Sequence, residues 1–285
     1  MAIKFLVDSA SDILPEEAQK LGVIVLPMTI TFGEKQYADC VDLSHSEFYE
    51  KLIETDQLPV TSQIVPAQFE TAIEWALGDG DELIILALSS KLSGTYQSAL
   101  IAASGYGGRV KVVDTENVCI GERLLLLRAL ALRDKGMSAD EIVERLNQEK
   151  KQVRLLALLD TLEYLKKGGR ISKTVAFAGT LLGIKPVVAV VDGEVQLVGK
   201  ARGSKNGNNL LRELVQKSNG IDFDRPYCLG YSGLSDHFLQ KYIADSAELW
   251  QGQTEELPIA TVGCTIGTHV GPGAIAVALF EKESK

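Results

Sequence analysis

The chain has 285 residues, 46% hydrophobic and 24% charged: enough apolar material for one large core or two ordinary ones, and too much for a disordered chain. With 29 Lys+Arg against 38 Asp+Glu, the net charge is −9, which speaks against a general binder of nucleic acid or anionic membrane. An apolar or small anionic ligand held in a local site stays open.

Residues 3–7 read as a buried strand ending in the cap-forming cluster Asp8-Ser9-Ala10-Ser11-Asp12. Pro15 with Glu16 and Glu17 suits a first helical turn, because Pro lacks the donor wasted there and acids face the positive helix end. Residues 23–26 form a second apolar run, and 30–32 and 36–41 flank a hairpin turn at Gly33-Glu34-Lys35. Ser44 and Glu47 form a capping box, and Pro66 opens a helix to about residue 77. Between these helices, residues 58–63 read as a polar loop.

Residues 82–88 are a strand, 89–95 a polar turn, 96–103 a helix and 109–114 a strand. Helices follow over 117–135 and 138–150, the second opened by Ser138 with Glu141. Strands separated by helices predict a mainly parallel sheet with helices on both faces. The texture then changes. After an apolar run at 153–159, a helix over 161–167 stops at Gly168-Gly169, and 181–184 leads to Pro186. Residues 187–191 and 194–198 form a hairpin around Asp192-Gly193. A helical core face at 210–215, a strand at 227–231 and a helix at 238–249 follow, then strands at 259–264 and 274–280 around a glycine-rich loop. These patterns predict an α/β protein of two domains, 1–158 and 159–285, the second with antiparallel hairpins.

Cys40, Cys119, Cys228 and Cys264 form no CxxC pair and match no zinc spacing, so free thiols in a reducing compartment and no metal are expected. The N-terminus does not resemble a signal peptide, and the apolar run 124–132 is short and interrupted by Arg128. A cytoplasmic protein without stable membrane insertion is expected; transient membrane contact stays open.

Three places combine hydroxyls, glycine and strand ends, where open α/β sheets bind ligands. Ser93 and Gly94, between a strand and a helix, make a small anion site or a plain helix cap. Thr61 and Ser62 offer uncharged donors or an ordinary turn. His269, among glycines and a proline in a tight loop, is an anion donor, a base or a structural histidine. Arg170, after a helix C-terminus, and Arg202, after a hairpin strand, are solvated charges or anion and partner contacts. The segment around Ser93 carries neither GxSxG nor a phosphate-loop Lys.

The order of these motifs resembles the DegV family, the fatty-acid-binding proteins that act as the acyl-carrying, FakB-type subunit of bacterial fatty acid kinase. The resemblance rests on Val7-Asp8-Ser9-Ala10-Ser11-Asp12, Thr61-Ser62-Gln63 and Leu92-Ser93-Gly94-Thr95-Tyr96-Gln97-Ser98-Ala99. It continues through Leu165-Lys166-Lys167-Gly168-Gly169-Arg170-Ile171-Ser172, Gly183-Ile184-Lys185-Pro186 and Gly267-Thr268-His269-Val270-Gly271-Pro272-Gly273. It implies a DegV-like two-domain fold holding one long-chain fatty acid near the domain interface, and no cofactor. Thr61, Ser93 and His269 match the carboxylate-binding positions, with Ser62 a second hydroxyl beside Thr61 and Gly94 allowing close approach. Arg202 matches a basic position near the mouth, and Arg170 and Arg202 are the expected kinase-facing residues. The implied partner is an ATP-dependent kinase subunit that phosphorylates the bound carboxylate to acyl phosphate for phospholipid synthesis, the carrier itself having no catalysis. The rival from another class is an acyl ester or thioester hydrolase with Ser93 as nucleophile, His269 as base and Asp8 or Asp114 as the acid.

Overall fold

The computed structural model describes residues 2–171 and 183–282. The first strand, β1 (Ile3–Asp8), pairs in parallel with β2 (Ile24–Leu26) and β6 (Glu82–Ala87), and β6 pairs in parallel with β7 (Val110–Asp114). The order is β2-β1-β6-β7. The central strands are apolar nearly throughout because both of their faces are covered: Phe5, Leu6 and Val7 in β1 and the run Leu83 to Ala87 in β6 are buried. Each large side chain buried there contributes roughly 1.5–3 kcal/mol.

Helix α1 (Pro15–Leu21) starts at the proline and ends at Gly22, whose φ of +66° supplies the left-handed cap. Helices α2 (His45–Glu54) and α6 (Ala139–Glu149) carry the expected capping boxes from Ser44 and Ser138. Helices α3 (Pro66–Ala76), α4 (Thr95–Ala103) and α5 (Ile120–Asp134) complete the first half.

A small antiparallel sheet, in the order β4-β3-β5, joins β3 (Thr29–Phe32), β4 (Lys35–Ala38) and β5 (Val60–Ser62). Thr61 and Ser62 therefore lie on a strand, not in the expected polar loop: their backbones pair with Ile30 and Thr29.

The third sheet has six strands in the order β10-β9-β8-β13-β11-β12. They are β8 (Val153–Leu158), β9 (Ile184–Val191), β10 (Glu194–Arg202), β11 (Cys228–Tyr231), β12 (Ile259–Thr261) and β13 (Ile275–Phe280). All pairs are antiparallel except β11 with β12. The β9–β10 turn has Asp192 at φ +49° and Gly193 at φ +82°, as a two-residue hairpin turn requires. Because β8 pairs with β9 and β13, a division by sheets falls before Val153, whereas the sequence-based boundary at 158 assigns this strand to the first half. Apolar alternation alone does not say which sheet a strand joins.

Helices α7 (Glu163–Lys167), α8 (Ser204–Lys217), α9 (His237–Asp245) and α10 (Cys264–Val270) belong to this half. Helix α10 occupies the segment expected to be a glycine-rich loop. Gly267 is required inside it, since a Cβ there would stand 2.6 Å from the Phe48 ring and 2.7 Å from the Tyr49 hydroxyl. The same contact packs α10 on α2, and the Tyr49 hydroxyl donates to the Val262 carbonyl at 3.0 Å. One core cluster runs through both large sheets, from Phe5 and Leu86 to Val190 and Phe280. Part of the expected run 181–184, and Ser172, lie outside the described residues.

Candidate functional site

Two adjacent cavities lie where the sheets meet. The inner one, about 60 Å³, has apolar walls throughout, among them Leu155, Val188, Val262 and Ala276. The outer one, about 230 Å³, has Val118, Leu165, Val195, Ile266 and Val270 in common with it. Beyond these shared residues its wall sets Met28, Leu88 and Leu92 beside a polar group of Thr61, Gln63, Ser93, Thr265, His269 and Arg170, with Gly94 among them. The result is a narrow apolar sleeve that shares one wall with a polar end.

Each polar residue arrives by a different element. Alternation along β5 turns Thr61 to the cavity and leaves Ser62 exposed, outside its wall. Thr61 thus answers which hydroxyl of the pair faces the site. The last turn of α10 carries His269, whose Nε2 lies 3.0 Å from Thr61 Oγ1. Among the described residues its buried Nδ1 has no hydrogen-bond partner, and it faces Gly168, where a Cβ would come within 2.3 Å of it. Burial, reinforced by the Arg170 cation, pushes the His269 pKa down to about 4, so the ring is neutral near pH 7.

Ser93 precedes α4. Its Oγ accepts from Thr95 N at 3.3 Å and lies 3.0 Å from Thr95 Oγ1. Gly94 packs on Gln63: a Cβ there would stand 2.1 Å from Gln63 Oε1, so a larger residue would displace the Gln63 amide. Gln63 Nε2 donates to Ser98 Oγ at 3.2 Å, which ties the end of β5 to the first turn of α4.

Arg170 is half-buried and lines the polar end. Its Nε donates to the Leu92 carbonyl at 3.2 Å and its Nη1 to the Gly168 carbonyl at 2.7 Å. Among the described residues no carboxylate pairs with it. The sequence placed Arg170 toward a partner; the structure also puts it in the cavity wall. Arg202, the last residue of β10, is exposed and lines neither cavity. Sequence reasoning did not select Gln63 or Thr265 as site residues. Gln63 stood in a recognised motif, but the contact that explains it spans 35 residues.

These groups do not make a hydrolytic relay. His269 contacts Thr61, and Ser93 contacts Thr95. Both Asp8 oxygens accept backbone donors, from Ala10 N and Leu88 N, and Asp114 Oδ1 accepts from Ser90 N and Glu116 N. The arrangement offers two hydroxyls, an imidazole and a guanidinium, suited to holding an anionic head whose apolar remainder fills the sleeve.

A family model described as an uncharacterised protein of the DegV family matches residues 2–282. A DegV domain-containing protein of Caldanaerobacter subterraneus subsp. tengcongensis is 34% identical over 282 residues, covering 98% of this chain and 99% of that protein. One from Deinococcus radiodurans is 36% identical over 285 residues, covering 98% of each. The solved structure of a fatty-acid-binding DegV family protein from Thermus thermophilus matches with a TM-score of 0.89 at 32% identity, over 99% of this chain and 100% of that one. That of DegV, a fatty acid binding protein from Bacillus subtilis, matches with a TM-score of 0.84 at 27% identity over the same shares.

Proposed function

The chain belongs to the DegV family, and we propose that it carries one long-chain fatty acid, with the tail in the apolar sleeve and the carboxylate at the polar end. The observation that carries this reading is the junction itself: an all-apolar sleeve adjoins Thr61, Ser93, His269 and a half-buried Arg170 without a carboxylate partner among the described residues. The fatty-acid-binding relatives from Thermus thermophilus and Bacillus subtilis support it.

The energetics fit. Burying about 15 methylenes gains on the order of 12 kcal/mol at about 0.8 each. Lost translational and rotational freedom removes a large part, and the remainder suffices for long occupancy. A buried carboxylate needs partners, and the polar end supplies hydroxyl donors and a cation.

The carrier presents this carboxylate to a separate ATP-dependent kinase subunit in the cytoplasm. A carboxylate oxygen attacks the terminal phosphorus of ATP, ADP leaves, and the acyl phosphate enters phospholipid synthesis. The carrier itself contributes binding and orientation rather than catalysis.

The test uses delipidated chain reloaded with a long-chain fatty acid and mixed with ATP and a fatty acid kinase subunit. Hydroxylamine traps any acyl phosphate as hydroxamate. Hydroxamate that requires the loaded chain supports the reading. Loaded chain without hydroxamate, beside a positive control carrier, overturns the kinase role and leaves lipid binding standing.

A further inference from the structure

Behind the polar end of the cavity, three side chains with different ligand chemistry converge. Asp39 and His45 are buried and Cys40 half-buried, and one ligand atom from each lies within 4.8 Å of the others. Cys40 Sγ is 3.0 Å from His45 Nε2 and 3.5 Å from Asp39 Oδ1. The carboxylate is held in place from its other side: Asp39 Oδ2 accepts from Ser9 Oγ at 3.0 Å, Thr265 N at 3.2 Å and Thr265 Oγ1 at 2.6 Å. Oδ1 is thereby turned to the thiol.

Two further observations at this place point to a ligand. Asp12, 2% exposed, has its Oδ2 buried without a nitrogen or oxygen donor among the described residues, with the Cys119 thiol beside its carboxyl group. Its Oδ1 borders the same small space as His45 Nε2, since a Cβ on Gly263 would stand 2.8 Å from one and 2.9 Å from the other. Two buried carboxyl groups thus flank the thiol and the imidazole. Neither is in an ion pair among the described residues, and Arg123 donates instead to the Asp12 carbonyl and to Glu17. Buried carboxyl groups without an ion-pair partner are places where a cation is stabilising.

We propose that Asp39 Oδ1, Cys40 Sγ and His45 Nε2 form a binding site for a zinc-class divalent cation. The mixture of thiolate, imidazole and carboxylate suits a borderline-soft ion and disfavours Mg²⁺ or Ca²⁺, which prefer all-oxygen shells. On binding, the Cys40 thiol releases its proton to solvent. The two charges of the ion then balance one thiolate and one carboxylate. With Zn–S near 2.3 Å and Zn–N near 2.0 Å, two tetrahedral ligands stand roughly 3.5 Å apart. The 3.0 Å sulfur–nitrogen separation therefore opens by about half an ångström as the ion enters. A water takes the fourth position.

The sequence pattern hides this site. Cys40 stands at a φ of +60°, in the left-handed region that favours glycine, so a cysteine there carries a conformational cost. The same feature gives a clean test, because Cys40→Gly removes the ligand and relieves the backbone. Thr265 connects the site to the lipid cavity, since it lines that cavity and donates to Asp39. The proposal stands independently of what the cavity holds.

The experiment is titration of the reduced, chelator-treated full chain with Co²⁺, followed by displacement with Zn²⁺. One equivalent of Co²⁺ producing a thiolate-to-cobalt charge-transfer band, lost on adding Zn²⁺ and absent in Cys40→Gly, is expected. Native mass spectrometry should then count one Zn²⁺ per chain. Thr265→Val, which removes the shortest of the three hydrogen bonds that orient Asp39, should weaken Co²⁺ binding by about tenfold. Co²⁺ bound without a thiolate band, no uptake at all, or equal uptake by folded Cys40→Gly overturns the site.

Discussion

Thr61 Oγ1 lies 3.0 Å from His269 Nε2, although 208 residues separate them in the chain. A short edge strand and the last turn of a short helix bring a hydroxyl and an imidazole to one cavity wall. The ring is held there by Gly168, where an added Cβ would come within 2.3 Å of Nδ1. Gly168 has ordinary right-handed helical backbone, φ −74°, so alanine suits the chain and meets the ring first, with the Tyr164 carbonyl next at 3.1 Å. Gly168→Ala should push His269 away from Thr61 and speed fatty acid loss by roughly 10- to 150-fold, equivalent to one charge-assisted hydrogen bond of about 1.5–3 kcal/mol. Exchange of a labelled fatty acid from the loaded variant measures this. An unchanged rate would separate His269 from the head group.

Ser93→Ala removes the hydroxyl that faces the cavity beside α4. The helix start survives, because Gly94 remains packed on Gln63 and Gln63 still donates to Ser98. Retention should fall by a similar factor while the melting temperature moves little. Equal retention in the delipidated exchange assay would remove Ser93 from the carboxylate contacts.

The pH dependence has a defined sign. His269 titrates near 4 in the folded chain and near 6.5 when unfolded. Its contribution to stability is complete above about 6.5 and is lost as pH falls toward 4, since the unfolded chain then holds a proton that the folded one refuses. Asp8 and Asp12, pushed up to about 7 mainly by burial, act oppositely and stabilise the fold as pH falls below 7. The total curve therefore mixes signs, and the difference between the wild-type chain and His269→Gln isolates the histidine. That difference should shrink by a few kcal/mol between pH 6.5 and 4 in urea unfolding. A flat difference would mean that His269 protonates freely in the folded state.

Arg202 is exposed and outside both cavities. Arg202→Ala should leave fatty acid affinity within about twofold, as expected for a surface change of under 0.5 kcal/mol. It should lower kinase-dependent hydroxamate formation. Normal phosphorylation of the loaded variant would take Arg202 out of the kinase-facing surface.

Much of the fold could be read directly. Continuous apolar runs mark the parallel strands, Ser44 and Ser138 mark helix starts, and Asp192-Gly193 marks a hairpin. The misreadings share a physical cause. Gly267 and Gly271 punctuate the sequence like a loop, yet Gly267 lies inside α10 because the helix packs tightly on Phe48 and Tyr49. Thr61 reads as a turn residue, and its strand exists only through pairing with β3. Strand β8 has no local mark of the sheet it joins. The site followed the same rule. Thr61, Ser93, Gly94 and His269 line one cavity, but apart from Ser93 with Thr95 their partners are long-range, so Gln63 and Thr265 were invisible until the chain was folded.

The most direct test of the carrier reading is native mass spectrometry of the purified chain, with lipid analysis of its organic extract. The apolar sleeve and its polar end predict a mass excess of one long-chain fatty acid per chain, recovered in the extract and restored when delipidated protein is offered fatty acids. A delipidated, folded chain that takes up none would contradict the account.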